Sequence, residues 1–239
     1  MTLIESFIND LTAYHGTYTQ NPWADTDENY EVPHAAHIRR NQLKLYLEKR
    51  IHQASILLIA EACGYQGGHF TGIAMTSERM LLNLHPYVNS LMVLGTQGRR
   101  TSRHDSPYIT KQTQKEKGFN EPTDTIVWSS CLNAHLTADQ FLLWNIFPFH
   151  PYKKGNILSN RTPTDDELAV GLTYTQKLLR LFSPKLIFAV GKKSELTLTT
   201  AGYDVIGLRH PANGGALLFQ KGLKEALMKI KSHKKRYLL

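Results

Sequence analysis

Residues 55–78 read SILLIAEACGYQGGHFTGIAMTSE, a short apolar run that gives way to a glycine-rich, nearly uncharged loop. SILLIA (55–60) has strand length and no polar alternation, as expected of a strand buried on both faces of a parallel sheet. Gly64, Gly67, Gly68 and Gly72 follow, a residue type used where the backbone turns sharply or lets another group approach closely. The stretch therefore predicts a strand with a ligand-accepting or tightly turning loop at its carboxyl end.

The same apolar signature recurs in QFLLWNIF (140–147), PKLIFAVG (184–191) and YDVIGLRH (203–210). Helical patterns alternate with these runs. Leu43, Tyr46, Leu47 and Ile51 share one face before the first strand, LAVGLTYTQKLLRLF (168–182) precedes the third, KKSELTLTTAG (192–202) separates the third from the fourth, and GGALLFQKGLKEALMKI (214–230) follows the fourth. This alternation predicts a three-layer α/β/α sandwich around a short central parallel sheet of about four strands, built as one domain over residues 1–239. Ligands in such folds sit beyond the carboxyl ends of the strands. Three polar motifs fall there: the Gly-rich loop, Asn145 with its FPFHP continuation, and His210 with its PANGG continuation.

The polar, basic segment Gly95–Thr125 reads as an insertion, either a lid over the site or a solvated loop. The net charge is +8 and the pI about 9.4, which suits a polyanionic partner such as nucleic acid, although a solvated basic surface fits the charge equally. The positive residues are spread over GRRTSRH (98–104), KQTQKEK (111–117), Lys153–Lys154 and KIKSHKKR (229–236), the last read as a frayed, solvated end. No stretch approaches the roughly 20 apolar residues that span a bilayer, and MTLIESFINDLTAYHG lacks the pattern of a secretion signal. Cys63 and Cys131 are too few for a disulfide framework or a four-cysteine metal site, so a reduced, cytoplasmic protein is expected. His69, His85, His104, His135 and His150 show no metal-ligand spacing, and the loop lacks both the G-x-G-x-x-G spacing and a phosphate-loop lysine, so no metal and no cofactor is expected.

His210, fixed by Pro211 at the start of a helix, can donate to a developing anion, or it is a surface histidine in a strand–helix turn. Asn145 offers one amide that matches the hydrogen-bonding edge of a pyrimidine, or it is a structural residue bonded to main chain. Glu61 can orient a water or a sugar hydroxyl, or cap backbone amides.

Together, AEACGYQGGHFTGIAMTSE (60–78), EPTDTIVW (121–128), WNIFPFHPYKKGNILSNRTPT (144–164) and LRHPANGG (208–215) resemble the motifs of the uracil-DNA glycosylase superfamily. NPWADTDENYEVPHAAHIRR (21–40) is similar to that family's N-terminal region. The resemblance implies an enzyme that flips a nucleotide out of DNA and hydrolyses its N-glycosidic bond to leave an abasic site. It implies catalytic roles for His210, Asn145 and Glu61, and a base pocket from Ala62, Cys63, Gly64, Tyr65, Phe70 and Met75. Gly67, Gly68, Asn213 and Gly214 would approach DNA, with Arg99, Arg100 and Arg103 as phosphate contacts. Family branches with an iron–sulfur cluster use four cysteines, so this chain is expected to lack one, and a monomer is the default expectation.

Departures from the family pattern are informative. The water-activating acid of the best-known branch falls at Ala62, and the tyrosine that excludes 5-substituted pyrimidines falls at Gly64. Prolines are replaced by Cys63 and Ala74, and the pocket phenylalanine by Met75. These changes favour a bulky modified cytosine, hydroxymethylated or glucosylated as in phage DNA, and an antiviral role; uracil excision in base-excision repair is the alternative. The empty acid position also admits a DNA-binding protein without activity.

Overall fold

The computed structural model describes the backbone of residues 1–236 and the side chains of residues 1–230. The side chains of the terminal basic cluster from residue 231 onward lie outside the described residues. The chain opens with α1 (Leu3–Thr12), β1 (Thr19–Gln20), α2 (Ala35–Glu48) and β2 (Ile56–Ala62). Five helices follow: α3 (Gly68–Thr71), α4 (Glu78–Leu81), α5 (Ser90–Leu94), α6 (Gln112–Lys117) and α7 (Pro122–Asn133). Then come β3 (Phe141–Phe147), β4 (His150–Pro151), α8 (Asp165–Phe182), β5 (Leu186–Val190), α9 (Lys192–Thr200), β6 (Ile206–Leu208) and α10 (Ala216–Arg236).

The main sheet has the order β3-β2-β5-β6, and every pairing is parallel. The connection from β2 to β3 crosses the sheet one way through α7. Those from β3 to β5 and β5 to β6 run the other way through α8 and α9. Right-handed crossovers therefore set α8 and α9 on one face and α7 on the other, where α10 joins it. The result is the three-layer sandwich expected from the alternating pattern. The direction of the connections reverses between β2 and β5, so a crevice opens above their carboxyl ends.

All seven residues of β3 are buried although it is an edge strand. Its outer edge is covered by α2: the Leu143 N–H donates to the Tyr46 hydroxyl (2.8 Å), and Arg50 Nε donates to the Phe141 carbonyl (3.1 Å). Those bonds close an edge that would otherwise template aggregation. Gly171 lets α8 press directly on this strand, because a Cβ there would overlap the Ile146 carbonyl. A capping box at Thr164 and Glu167 starts α8.

The segment 95–125 differs from the expected lid or open loop. It contains α6, buries Ile109 and Phe119, and is held by the fully buried Glu78. Glu78 accepts from the Thr101, Ser102 and Phe119 N–H groups (2.9, 2.9 and 3.2 Å) and from the Ser102 hydroxyl (2.5 Å). Apolar residues are sparse there because one buried carboxylate, rather than a hydrophobic stripe, gathers the segment.

Candidate active site

A cleft of about 850 Å³ occupies the crevice. Its floor is the end of β2 (Ala60, Glu61, Ala62), one wall is Cys63, Gly64 and Glu121, and the other is Val190, Gly191, His210 and Asn213. The topological switch point and the glycine turns of the loop after β2 thus coincide here.

His210 is partly buried at the mouth of the turn after β6. Its Nδ1 accepts from the Ala212 N–H (3.1 Å), so in the neutral ring Nε2 carries the proton. Burial, with Arg209 nearby, lowers its pKa and favours that neutral form. The turn is tight: a Cβ at Gly215 would overlap the His210 carbonyl oxygen, and Gly191, at φ +95°, lies where a Cβ would be 3.3 Å from the His210 Cβ. The geometry yields a fixed, uncharged donor.

Asn145 lies beneath the cleft rather than on its lining, in register with Ala60, and is 2% exposed. Its Oδ1 has no hydrogen-bond partner among the described residues. A buried amide oxygen left unpaired is costly for structure alone. Glu61 is partly buried; burial raises its pKa, and Lys193 partly offsets the shift. A raised carboxyl suits proton transfer near neutrality.

Several sequence expectations need correction. Phe70 is fully buried and stacks on Phe119 (centroids 4.1 Å apart, planes at 22°) in a small cluster away from the cleft. Met75 is also buried outside the lining; it takes φ +48°, and its carbonyl accepts from Trp128 Nε1 (3.1 Å). Tyr65 is not on the lining either; its N–H donates to Asn160 Oδ1 (3.0 Å), binding the Gly-rich loop to the loop after β4. Ala62, Cys63 and Gly64 do face the cleft, while Gly67 and Gly68 are buried behind it. Burial and the acids Glu121 and Asp124 push the Cys63 thiol up, so it is no nucleophile.

The expected phosphate contacts also move. None of Arg99, Arg100 and Arg103 lines the cleft. Arg100 donates to the carbonyls of Ser102 (3.0 Å) and Gln114 (2.7 Å), and Arg103 to Asp105 (3.1 Å) and the Glu28 carbonyl (2.8 Å). The guanidinium groups of Arg100 and Arg103 thus serve the segment 95–125 and its neighbour Glu28, while Arg99 is exposed. The cations that line the cleft are Lys153, Lys192, Lys193 and Arg161, the last paired with Glu167 (2.6 Å), beside Asn213, which takes φ +52° next to Gly214 at φ +74°. Charge runs marked Lys153–Lys154, but nothing in KKSEL separated α9's first two lysines from an ordinary helix face.

The residue that the sequence reading passed over is Glu121. It occupies the N-cap position of α7 without a side-chain capping bond and sits against Gly64, where a Cβ would overlap its carboxylate. Asp124 lies deeper, accepting from the Ser77 hydroxyl (2.7 Å). Burial raises both carboxyls, and Glu121 raises Asp124 further. The signal was EPTD itself: two acids three apart at a helix start, before an apolar stretch.

Residues 50–230 match the uracil DNA glycosylase superfamily. The chain belongs to that superfamily. It is a DNA glycosylase, and DNA is its substrate. The crystal structure of wild-type SMUG2 from Pedobacter heparinus shares the fold, with a TM-score of 0.61 over 97% of this chain and 99% of that one, at 16% identity. No curated protein matches the sequence. Among the described residues, no group of three or more His, Cys, Asp or Glu is arranged to hold a metal ion, and no helix is long and apolar enough to cross a membrane.

Proposed function

We propose that this glycosylase is monofunctional, acts as a monomer on cytoplasmic DNA, and excises a bulky modified cytosine of the hydroxymethylated or glucosylated kind, in defence against phage. The observation that carries the catalytic part is the His210 ring, held neutral with its Nε2–H free. The extruded base is read at its edge by Asn145, whose unpaired Oδ1 supports that role. The C1′–N bond then breaks, and its electron pair leaves with the base as an anion that the His210 Nε2–H stabilises. Water adds to C1′, giving its proton to Glu61. No covalent enzyme–DNA bond forms, so the product is an intact abasic strand.

The substrate part rests on room. Gly64 presents no side chain to the cleft, which opens to solvent beside it and is not closed around a single pyrimidine. Neither Phe70 nor Met75 projects into the cleft, so the base has no stacking platform from the Gly-rich loop, and the side chain a larger group meets beside Gly64 is the Glu121 carboxylate. Lys153 and Lys192, exposed at the rim, would hold the flanking phosphates. The test is alkali-induced strand scission on two DNAs, one containing uracil and one containing glucosylated hydroxymethylcytosine. Abasic sites in the second at the higher rate are expected; scission confined to uracil DNA would assign the enzyme to base-excision repair.

A further inference from the structure

We propose that Glu121 is a specificity-determining residue: its carboxyl oxygens accept a hydrogen bond from a neutral N–H or O–H donor on the 4,5-edge of the extruded base. The inference rests on the glycosylase reading and names what the site selects.

Three observations converge on this residue. Helix N-caps normally turn a side chain back onto their own first turn, as Thr2 and Thr164 do in this chain. Glu121 makes no such bond. Its carboxyl instead lies against Gly64 and forms part of the cleft wall, where burial raises its pKa beside the neighbouring Asp124 and no described residue donates to it. Glu121 is only partly buried and its carboxyl faces the cleft without a protein donor, so its oxygens are open to a donor on a ligand.

Secondly, the local backbone is built to hold the carboxyl there. The Glu121 N–H donates to the Ser77 hydroxyl (2.8 Å), which in turn donates to Asp124 Oδ2 (2.7 Å). A Cβ at Gly67 would stand 2.5 Å from Asp124 Oδ2 and 3.0 Å from Glu121 Oε2. Two glycines therefore make room for the acid pair, and only Asp124 receives a protein donor.

Thirdly, position separates base recognition from water activation. His210 and Asn213 come from beyond β6, on one side of the sheet; Asn145 is on β3, and Glu121 begins the helix that leads into β3, on the other. A base spanning from His210, where leaving-group charge gathers, to Asn145 turns its far edge towards Glu121. The attacking water belongs at the sugar, on the His210 and Glu61 side. Uracil offers that wall only the acceptor O4 and a C–H, whereas cytosine offers an amino group and a 5-hydroxymethyl group a hydroxyl. Burial raises the Glu121 carboxyl to about 7 and Asp124 further, so above that pH Glu121 is ionised and only accepts, which favours the donors and repels O4; the affinities are therefore compared at a pH above that value.

Binding, rather than turnover, tests this. In a His210→Ala background, affinity is measured for four duplexes that differ in one nucleotide: uracil, cytosine, 5-hydroxymethyluracil and 5-hydroxymethylcytosine. A donor-bearing base should bind roughly tenfold or more tighter than uracil, and Glu121→Leu should bring all four to within about twofold, the loss of one bond to a charged acceptor. Preference for 5-hydroxymethyluracil without cytosine assigns the hydroxyl as the donor; the reverse assigns the amino group. Gly64→Ala, which crowds the carboxylate while keeping it, should weaken the same preference and serves as the second variant if Glu121→Leu does not fold. Equal affinity for all four duplexes, or a preference that survives both substitutions, overturns the inference. Wild-type protein that leaves no abasic site in any of these duplexes or in DNA containing glucosylated hydroxymethylcytosine defeats the glycosylase reading instead, and the binding comparison still decides the role of Glu121.

Discussion

Two glutamates flank the Gly-rich loop of this protein in space, and they live by opposite rules. Glu78 is 1% exposed and accepts four hydrogen bonds from Thr101, Ser102 and Phe119. Glu121 is partly buried beside Gly64, opens on the cleft and receives none. A buried charge is tolerated when donors replace its water, and its removal then leaves those donors stranded. The saturated acid is architecture that ties segment 95–125 to the body. The unsaturated one is available to a ligand.

The sharpest way to break this contrast is to delete each acid. Glu78→Leu should lower unfolding free energy by about 4 kcal/mol, since it strands buried N–H groups, whereas Glu121→Leu should be neutral or stabilising; urea denaturation of both variants makes the comparison. Equal destabilisation would erase the distinction. Next in size is Phe141→Ala, expected to cost about 3–5 kcal/mol because β3 is packed at every position. Its measured value tests whether the edge strand is as closed as Tyr46 and Arg50 make it.

The pH dependence sharpens the comparison further. Burial raises the Glu121 and Asp124 carboxyls above their unfolded values. A raised carboxyl contributes stability that is fully present below its unfolded pKa and is lost as pH rises through its folded pKa. Wild-type protein should therefore lose stability, relative to Glu121→Gln, as pH climbs from about 4.5 towards and past the raised value. A difference between the two that stays flat with pH would contradict the burial argument. The smallest effects belong to the rim. Lys192→Ala and Lys153→Ala should each reduce the slope of log affinity against log salt by about one phosphate contact, while Arg100→Ala, whose guanidinium already bonds the Ser102 and Gln114 carbonyls, should leave it unchanged.

Much of the fold was legible because its signals are local. The four apolar runs became the four parallel strands in place, with YDVIGLRH shrinking to Ile206–Leu208 as its ends turn into the approach to His210. The helices α2, α8, α9 and α10 followed from their spacing. The strand order and the closure of the β3 edge by Tyr46 and Arg50 were not readable, since they depend on contacts far apart in the chain. That His210 and Glu61 line the cleft was legible because they sit at or just beyond the carboxyl ends of strands. That Phe70, Met75, Arg99, Arg100 and Arg103 lie off the cleft lining was not legible, because residue type in a loop says nothing about which way the side chain turns. Glu121 was invisible because its meaning lies in the missing Cβ of Gly64, 57 positions earlier in the sequence.

The most direct test of the account is single-turnover formation of alkali-labile sites by wild-type protein and by His210→Ala on the same modified-cytosine DNA. The account predicts that the substitution slows the reaction by about 100-fold or more, as loss of a positioned donor to a developing anion does, while DNA affinity and melting temperature hold. A variant that matches the wild-type rate would contradict it.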